Sequence, residues 1–338
     1  MRNVCSGQCN KPPIAGLCSN SVLRLLRYLI FSRPALYRSA SNFTSRLPLL
    51  LLGSILSYAL PTQADPLHVA LVLSDESSAY QAFSDSLRSR LSAGNFKVTA
   101  QRADEALGAS DLYIAVGMKA ASRLAASDVP TLDVFVSKNA YDKLLRANPQ
   151  HANPRSAVFL DQPIERQVAL MLAALPNTRR VGVLYATPPP ELQNVRHLLA
   201  AKNIRLHDQT VDEKQSLNDA LNNVLSESEV LFVMADADIY NASTIRNILL
   251  TSYRKQVPLV GISQAFVTAG ALCAVFTTPD QFAEQAAAII QKYDESDTLP
   301  AANYPSTFEV LVNMQVARSL DLHIKDAVQL RDEIRRIP

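Results

Sequence analysis

The sequence predicts an α/β protein made of two lobes, each a doubly wound parallel sheet, behind an N-terminal signal segment of a different kind. Three observations carry this. Short runs such as Leu67 to Leu73 (LHVALVL, apolar but for His68) and Leu112 to Val116 (LYIAV) are too brief for helices and read as strands covered on both faces. The stretches between them have helical spacing, and strands alternating with helices build a parallel sheet. After Pro176 the pattern starts again, and two runs of about 100 residues each suit two similar lobes better than one long sheet.

Met1 to Ala64 contains no Asp or Glu and holds seven of the 33 Lys and Arg residues, which leaves 26 basic against 31 acidic residues and a net charge of −5 from Asp65 onward. The basic balance therefore belongs to the leader, and nothing in the remainder suggests a nucleic-acid surface. Arg46 precedes the 14-residue apolar block Leu47 to Leu60, too short to span a bilayer comfortably. Thr62 and Ala64 place small residues before Asp65. Charged flank, apolar block and small-residue cut site read as a secretory signal cleaved after Ala64, which puts the product in the periplasm. Cys5, Cys9 and Cys18 fall in this leader, so Cys273 stands alone behind it and reads as a small buried hydrophobe.

In the first half, strands are expected at Leu67 to Leu73, Phe96 to Ala100, Leu112 to Val116, Leu132 to Val136 and Ala157 to Leu160. A helix from Ala79 to Ser92 carries Tyr80, Phe83, Leu87 and Leu91 along one side, and a second follows the turn at Gly117. Asp161-Gln162-Pro163 separates this half from a helix over Ile164 to Leu175. The second half then reads as strand Val181 to Tyr185, helix Glu191 to Ala201, strand Ile204 to Thr210 and helix Ser216 to Leu225. Val230 to Met234 is the next strand, Asn241 caps a helix from Ala242 to Lys255, and Leu259 to Ile262 is a strand. Cys273 to Phe276 and Phe308 to Val312 close the set of strands, with helices at Pro279 to Tyr293 and Met314 to Leu320 and an amphipathic tail from Asp326.

The six glycines behind the leader are scattered, so no loop can cradle a phosphate. The five histidines are dispersed, without HExxH or a Cys pair, and no metal site is expected. There is no GxSxG elbow and no cofactor motif, and an enzyme using the paired carboxylates Asp236 and Asp238 is disfavoured because two Asp at i and i+2 in a loop need not face one site. What recurs is a set of polar loops at strand carboxyl ends, where open parallel sheets bind ligands. The first lobe offers Ser74, Glu76, Gly117, Met118, Ser137 and Asn139; the second offers Thr187, Asp236, Ser263 and Gln264. Singly, such residues serve most often as helix caps. Together they suit a small polar ligand such as an amino acid, with hydroxyls for a carboxylate and an unpaired Asp for an ammonium or a sugar hydroxyl.

The runs LFVMADADIYNASTIRNILLTSYRKQVPLVGISQAFVTAGAL, QPIERQVALMLAALPNTRRVGVLYA and FEVLVNMQVARSLDL resemble the periplasmic substrate-binding proteins of the ABC-transporter family that includes tryptophan-binding members. The resemblance implies a type I periplasmic-binding fold, two lobes joined by three crossovers and closing on a small molecule, with Asp236 and Ser263 to Ala265 lining the cleft. It implies lobes made of residues 65–162 with 279–296 and of 163–278 with 300–338. It further implies a monomer that delivers its ligand to an inner-membrane permease, or that serves as a periplasmic sensor or accessory subunit. Between Val136 and Ala157 the sequence departs from that family's pattern.

Overall fold

The computed structural model describes residues 65–149, 154–212 and 216–336; the leader, its apolar block and the cut after Ala64 lie outside them. The first sheet is built from β1 (Leu67–Leu73), β2 (Phe96–Arg102), β3 (Leu112–Val116), β4 (Thr131–Val136) and β5 (Arg155–Phe159), in the order β2-β1-β3-β4-β5 and parallel throughout. Its connecting helices are α1 (Ser78–Leu91), α2 (Met118–Arg123) and α3 (Lys138–Ala147). The alternation within β1 explains why that segment is apolar at every step from Val69 onward. Val69, Leu71 and Leu73 pack with Phe83 and Leu87 of α1, whereas Ala70 and Val72 face Ala120, Ala121 and Leu124 on the opposite side.

The second sheet follows α4 (Ile164–Ala174). Its elements are β6 (Arg180–Tyr185), α5 (Leu192–Ala200), β7 (Arg205–Thr210), α6 (Leu217–Ser226), β8 (Val230–Phe232), α7 (Ile245–Arg254), β9 (Leu259–Gly261), α8 (Gln264–Ala269) and β10 (Cys273–Phe276). The chain then leaves as α9 (Pro279–Ser296), returns as β11 (Glu309–Val312) and ends in α10 (Met314–Ser319) and α11 (Ala327–Arg335). The strand order is β11-β10-β9-β8-β6-β7, all parallel except β11, which runs antiparallel to β10. One face packs on α4, α5 and α11 through Met171, Val195 and Leu330, and the other on α6 and α7 through Leu221 and Ile248.

Although it follows β10 in sequence, α9 packs against the first sheet, with Phe282, Ala286 and Ile290 buried beside Phe83 and Leu87. The chain therefore passes between the sheets three times, at 160–163, 277–278 and 297–308. On the third passage Val158 and Asn303 form a parallel bridge at the edge of the first sheet. The capping box of α9, in which Thr278 Oγ1 accepts from Gln281 N and Gln281 Oε1 accepts from Thr278 N, fixes where the second passage ends.

Several local expectations change. Asn241 does not cap the long helix: its Oδ1 accepts from Ser243 N and Ser243 Oγ within a turn, and α7 starts three residues later than expected, at Ile245. The region after Val136 holds a helix, α3, capped by Ser137. A further short helix, α8, begins at Gln264 where a loop is expected. In β4 the register shifts between Val134 and Val136 because Phe135 adopts φ 58°, a left-handed conformation costly for a bulky side chain. The bulge turns its ring away from the strand's own alternation. It lies 4.5 Å from Phe282 and 5.4 Å from Tyr80, centroid to centroid.

Candidate ligand-binding cleft

Strands of both sheets point their carboxyl ends toward a cavity of about 460 Å³. Ser137, Phe135 and Leu160 line it from the first sheet, Ile262, Ser263 and Gln264 from the second, and Gln162 and Thr277 from the passages between them. A smaller cavity of about 90 Å³ adjoins it and shares Ser137, Asp161, Gln162 and Ala235, with Asn139, Glu191 and Tyr304 completing its walls. A chamber of this size, apolar over much of its wall with a few convergent polar groups, is the usual form of a small-molecule site.

Four of the residues chosen from the sequence line these cavities. Ser137 caps α3, its Oγ accepting from Ala140 N at 3.3 Å. Asn139 sits one residue into α3. Ser263 precedes α8 in extended conformation with no cap hydrogen bond from its side chain, and Gln264 opens that helix.

The other six do not line them, and the structure shows what occupies each. Ser74 Oγ accepts from Ala120 N at 2.9 Å and so holds the start of α2. Glu76 pairs with Arg102 at 3.2 Å on the exterior. Gly117 takes φ 86° where a side chain would collide with Tyr80 and Ser74, so it is required by backbone geometry. Met118 is exposed beside it, and Thr187 lies in the exposed loop that leads into Pro188. Asp236 works as a strap: Oδ2 accepts from Ala186 N at 2.7 Å and Oδ1 from Asp238 N at 3.0 Å, which ties the loop after β8 to the loop after β6.

Sequence reasoning overlooked Asp161, Gln162, Glu191, Phe135 and Tyr304. Asp161 stands two residues beyond β5, at a strand carboxyl end, so the rule that selected Ser137 also selects it. Its Oδ2 accepts from Lys138 N at 2.7 Å. Burial pushes its carboxyl up to about 6, the Lys138 N–H opposes the rise and Glu191 adds to it. Gln162 is buried, with Nε2 donating to Thr277 Oγ1 at 2.8 Å and Oε1 accepting from Arg166 Nη1 at 2.6 Å. Thr277 Oγ1 in turn donates a hydrogen bond to Thr307 O at 2.8 Å, and Arg166 also donates to Pro305 O at 3.2 Å. One network thus joins all three passages. Among the described residues no cluster of side chains is arranged to hold a metal ion, and no helix is long and apolar enough to cross a membrane.

Comparison with known proteins assigns the chain. The family described as ABC transporter substrate binding protein matches residues 157–333, more than half of the sequence. No curated protein matches. Among solved structures, a conserved domain protein from Vibrio cholerae O1 biovar El Tor superposes with TM-score 0.57 at 20% identity, over 78% of this chain and 98% of that one. The ABC domain of Streptococcus pneumonia in complex with L-Trp gives 0.57 at 16% identity, over 79% and 98%. The ligand-free, open form of a substrate-binding protein with adhesive properties from Clostridium difficile gives 0.62 at 14% identity, over 77% and 96%. At these identities the likeness speaks for the fold, two parallel-dominant sheets of the type I periplasmic-binding kind. By the match over residues 157–333, this chain belongs to the ABC transporter substrate-binding proteins.

Proposed function

We propose that the protein is exported, captures a small organic molecule between its two lobes and delivers it to an ABC-type permease. In this reading residues 65–162 with 279–296 form one lobe, 163–278 with 300–338 form the other, and the three passages act as the hinge. The observation that carries it is the 460 Å³ cavity, whose walls come from both sheets and from the passages, so an occupant touches both lobes at once. A ligand shifts an equilibrium between open and closed forms only by fitting one better than the other, and contacts from two sides supply that preference. Ser137 and Asn139 from one side, with Ser263 and Gln264 from the other, are the polar groups from the sequence reading that can orient it. Export follows from the leader, with the mature chain beginning at Asp65. Delivery to a permease follows from family membership.

The test is a calorimetric and thermal-shift screen of the purified protein against amino acids, amines, sugars and carboxylates, with small-angle scattering of each complex. A saturable rise in melting temperature accompanied by a smaller radius of gyration is expected for the ligand. Binding by no member of the screen would overturn the reading. Amino-terminal sequencing of the exported protein, expected to begin at Asp65, tests the leader separately.

A further inference from the structure

Resting on that reading, we propose that the cleft selects a cationic amine with an apolar body, its ammonium held between Asp161 and Glu191 and its body in the larger chamber. Among the described residues that line the two cavities, Asp161 and Glu191 are the acidic side chains, and no Lys or Arg joins them. The cations nearby are committed elsewhere. Lys138 Nζ pairs with Asp142 at 2.6 Å, and Arg166 turns to Gln162 Oε1, to Pro305 O and to the face of Phe308, 4.3 Å from its centroid. A carboxylate or phosphate entering this space meets no Lys or Arg in the walls, although Lys138 acts on Asp161 from outside them, whereas an ammonium meets two carboxyl groups.

Tyr304 reports the same field from the third passage. Burial first, then Asp161, Glu191, Glu165 and Asp142, push its phenol up to about 12, so four carboxylates act on one ring. That ring lines the smaller cavity, and an aromatic face attracts cations. The volumes divide the ligand in the same way. About 90 Å³ beside Asp161, Glu191 and Tyr304 accommodates a charged head, and the adjoining chamber presents Phe135, Leu160, Ile262 and Phe276 to an apolar body.

The two carboxylates come from opposite sides, Asp161 from the loop after β5 and Glu191 from the start of α5. Drawing them together without a cation raises their mutual repulsion, and with a cation between them it replaces repulsion by two attractions. Closure is thereby made conditional on the charge of the occupant.

The experiment titrates the purified protein with 2-phenylethylamine, phenylalanine and 3-phenylpropionate, which share one body and differ in charge. The amine is expected to bind at least tenfold more tightly than either of the others. Asp161→Asn and Glu191→Gln are each expected to weaken it by tenfold or more, and its affinity is expected to fall from pH 7 to pH 5 as Asp161, which shares its cavity with Glu191 and Tyr304, takes up a proton. Glu191→Gln, at the start of α5 with no side-chain cap bond to lose, serves alone if Asp161→Asn fails to fold. Equal or tighter binding of phenylalanine or 3-phenylpropionate, or amine affinity unchanged in a folded variant, would overturn the proposal. Binding of a sugar or amino acid with closure but no binding of the amine removes the charge assignment alone; binding of no probe removes the solute-binding reading with it.

Discussion

Gln162 donates through Nε2 to Thr277 Oγ1 at 2.8 Å across 115 residues of sequence. The bond links the first passage between the sheets to the second, and Thr277 extends it to Thr307 on the third. Gln162→Leu keeps the volume but removes both the donor to Thr277 and the acceptor of Arg166. It is expected to destabilise the protein by about 1–3 kcal/mol, the cost of leaving buried polar partners unmet. Urea denaturation measures that loss, and scattering of the ligand-free variant should show a broader spread of lobe separations than the parent.

Asp133 and Arg155 form a buried ion pair at the far end of the first sheet, with Arg155 also donating to Ala121 O and Leu124 O. Removing one partner strands the other charge, so Arg155→Met is expected to cost about 3–5 kcal/mol. The double variant Asp133→Leu/Arg155→Met should recover most of it. A double variant as unstable as the single one, by chemical denaturation, would show that the hydrogen bonds to the two carbonyls matter more than the charges.

Asp161 gives a pH signature. Its carboxyl lies near 6 in the folded protein and near 3.9 when unfolded, so between those values the folded state binds more protons. Stability from this group is therefore fully present below about pH 4 and is lost as pH rises through about 6. Asp161→Asn has no such dependence, so its stability relative to the parent should climb from pH 4 to pH 7 in ligand-free protein. Matched melting curves at the two pH values decide it. A difference that stays flat would show that the carboxyl titrates normally.

At Phe135 the usual ranking of substitutions should reverse. Alanine loses the ring's packing on Tyr80, Phe83 and Phe282 but keeps a Cβ in a left-handed conformation, whereas glycine loses the same packing and relieves the backbone by about 1–2 kcal/mol. Phe135→Gly is thus expected to be the more stable of the two, although glycine in a strand ordinarily costs about 0.5–1 kcal/mol relative to alanine. Equilibrium unfolding of the pair is the check.

The central strands were readable because they are covered on both faces: runs such as LYIAV have every side chain buried and are too brief for helices. The direction of β11 was not, since alternation of side chains is the same for parallel and antiparallel pairing. α3 was missed because Tyr141 and Leu144 are its buried residues amid charged neighbours. The site was half readable for a related reason. Ser137 and Ser263 follow strands directly, but Tyr304 arrives from a passage that bridges Asn303 to Val158, and no local pattern announces a partner so distant in sequence. Asp236 drew notice as a loop carboxylate, yet a loop needs its own backbone donors satisfied before its side chains can serve anything else.

Cys273 lies at 0% exposure in β10, and burial pushes its thiol up to about 12. Among the described residues it is the single cysteine, so that part of the folded molecule presents no accessible thiol. An alkylating dye should consequently mark Cys273 only when the second sheet opens. That turns one hidden atom into a clock for unfolding.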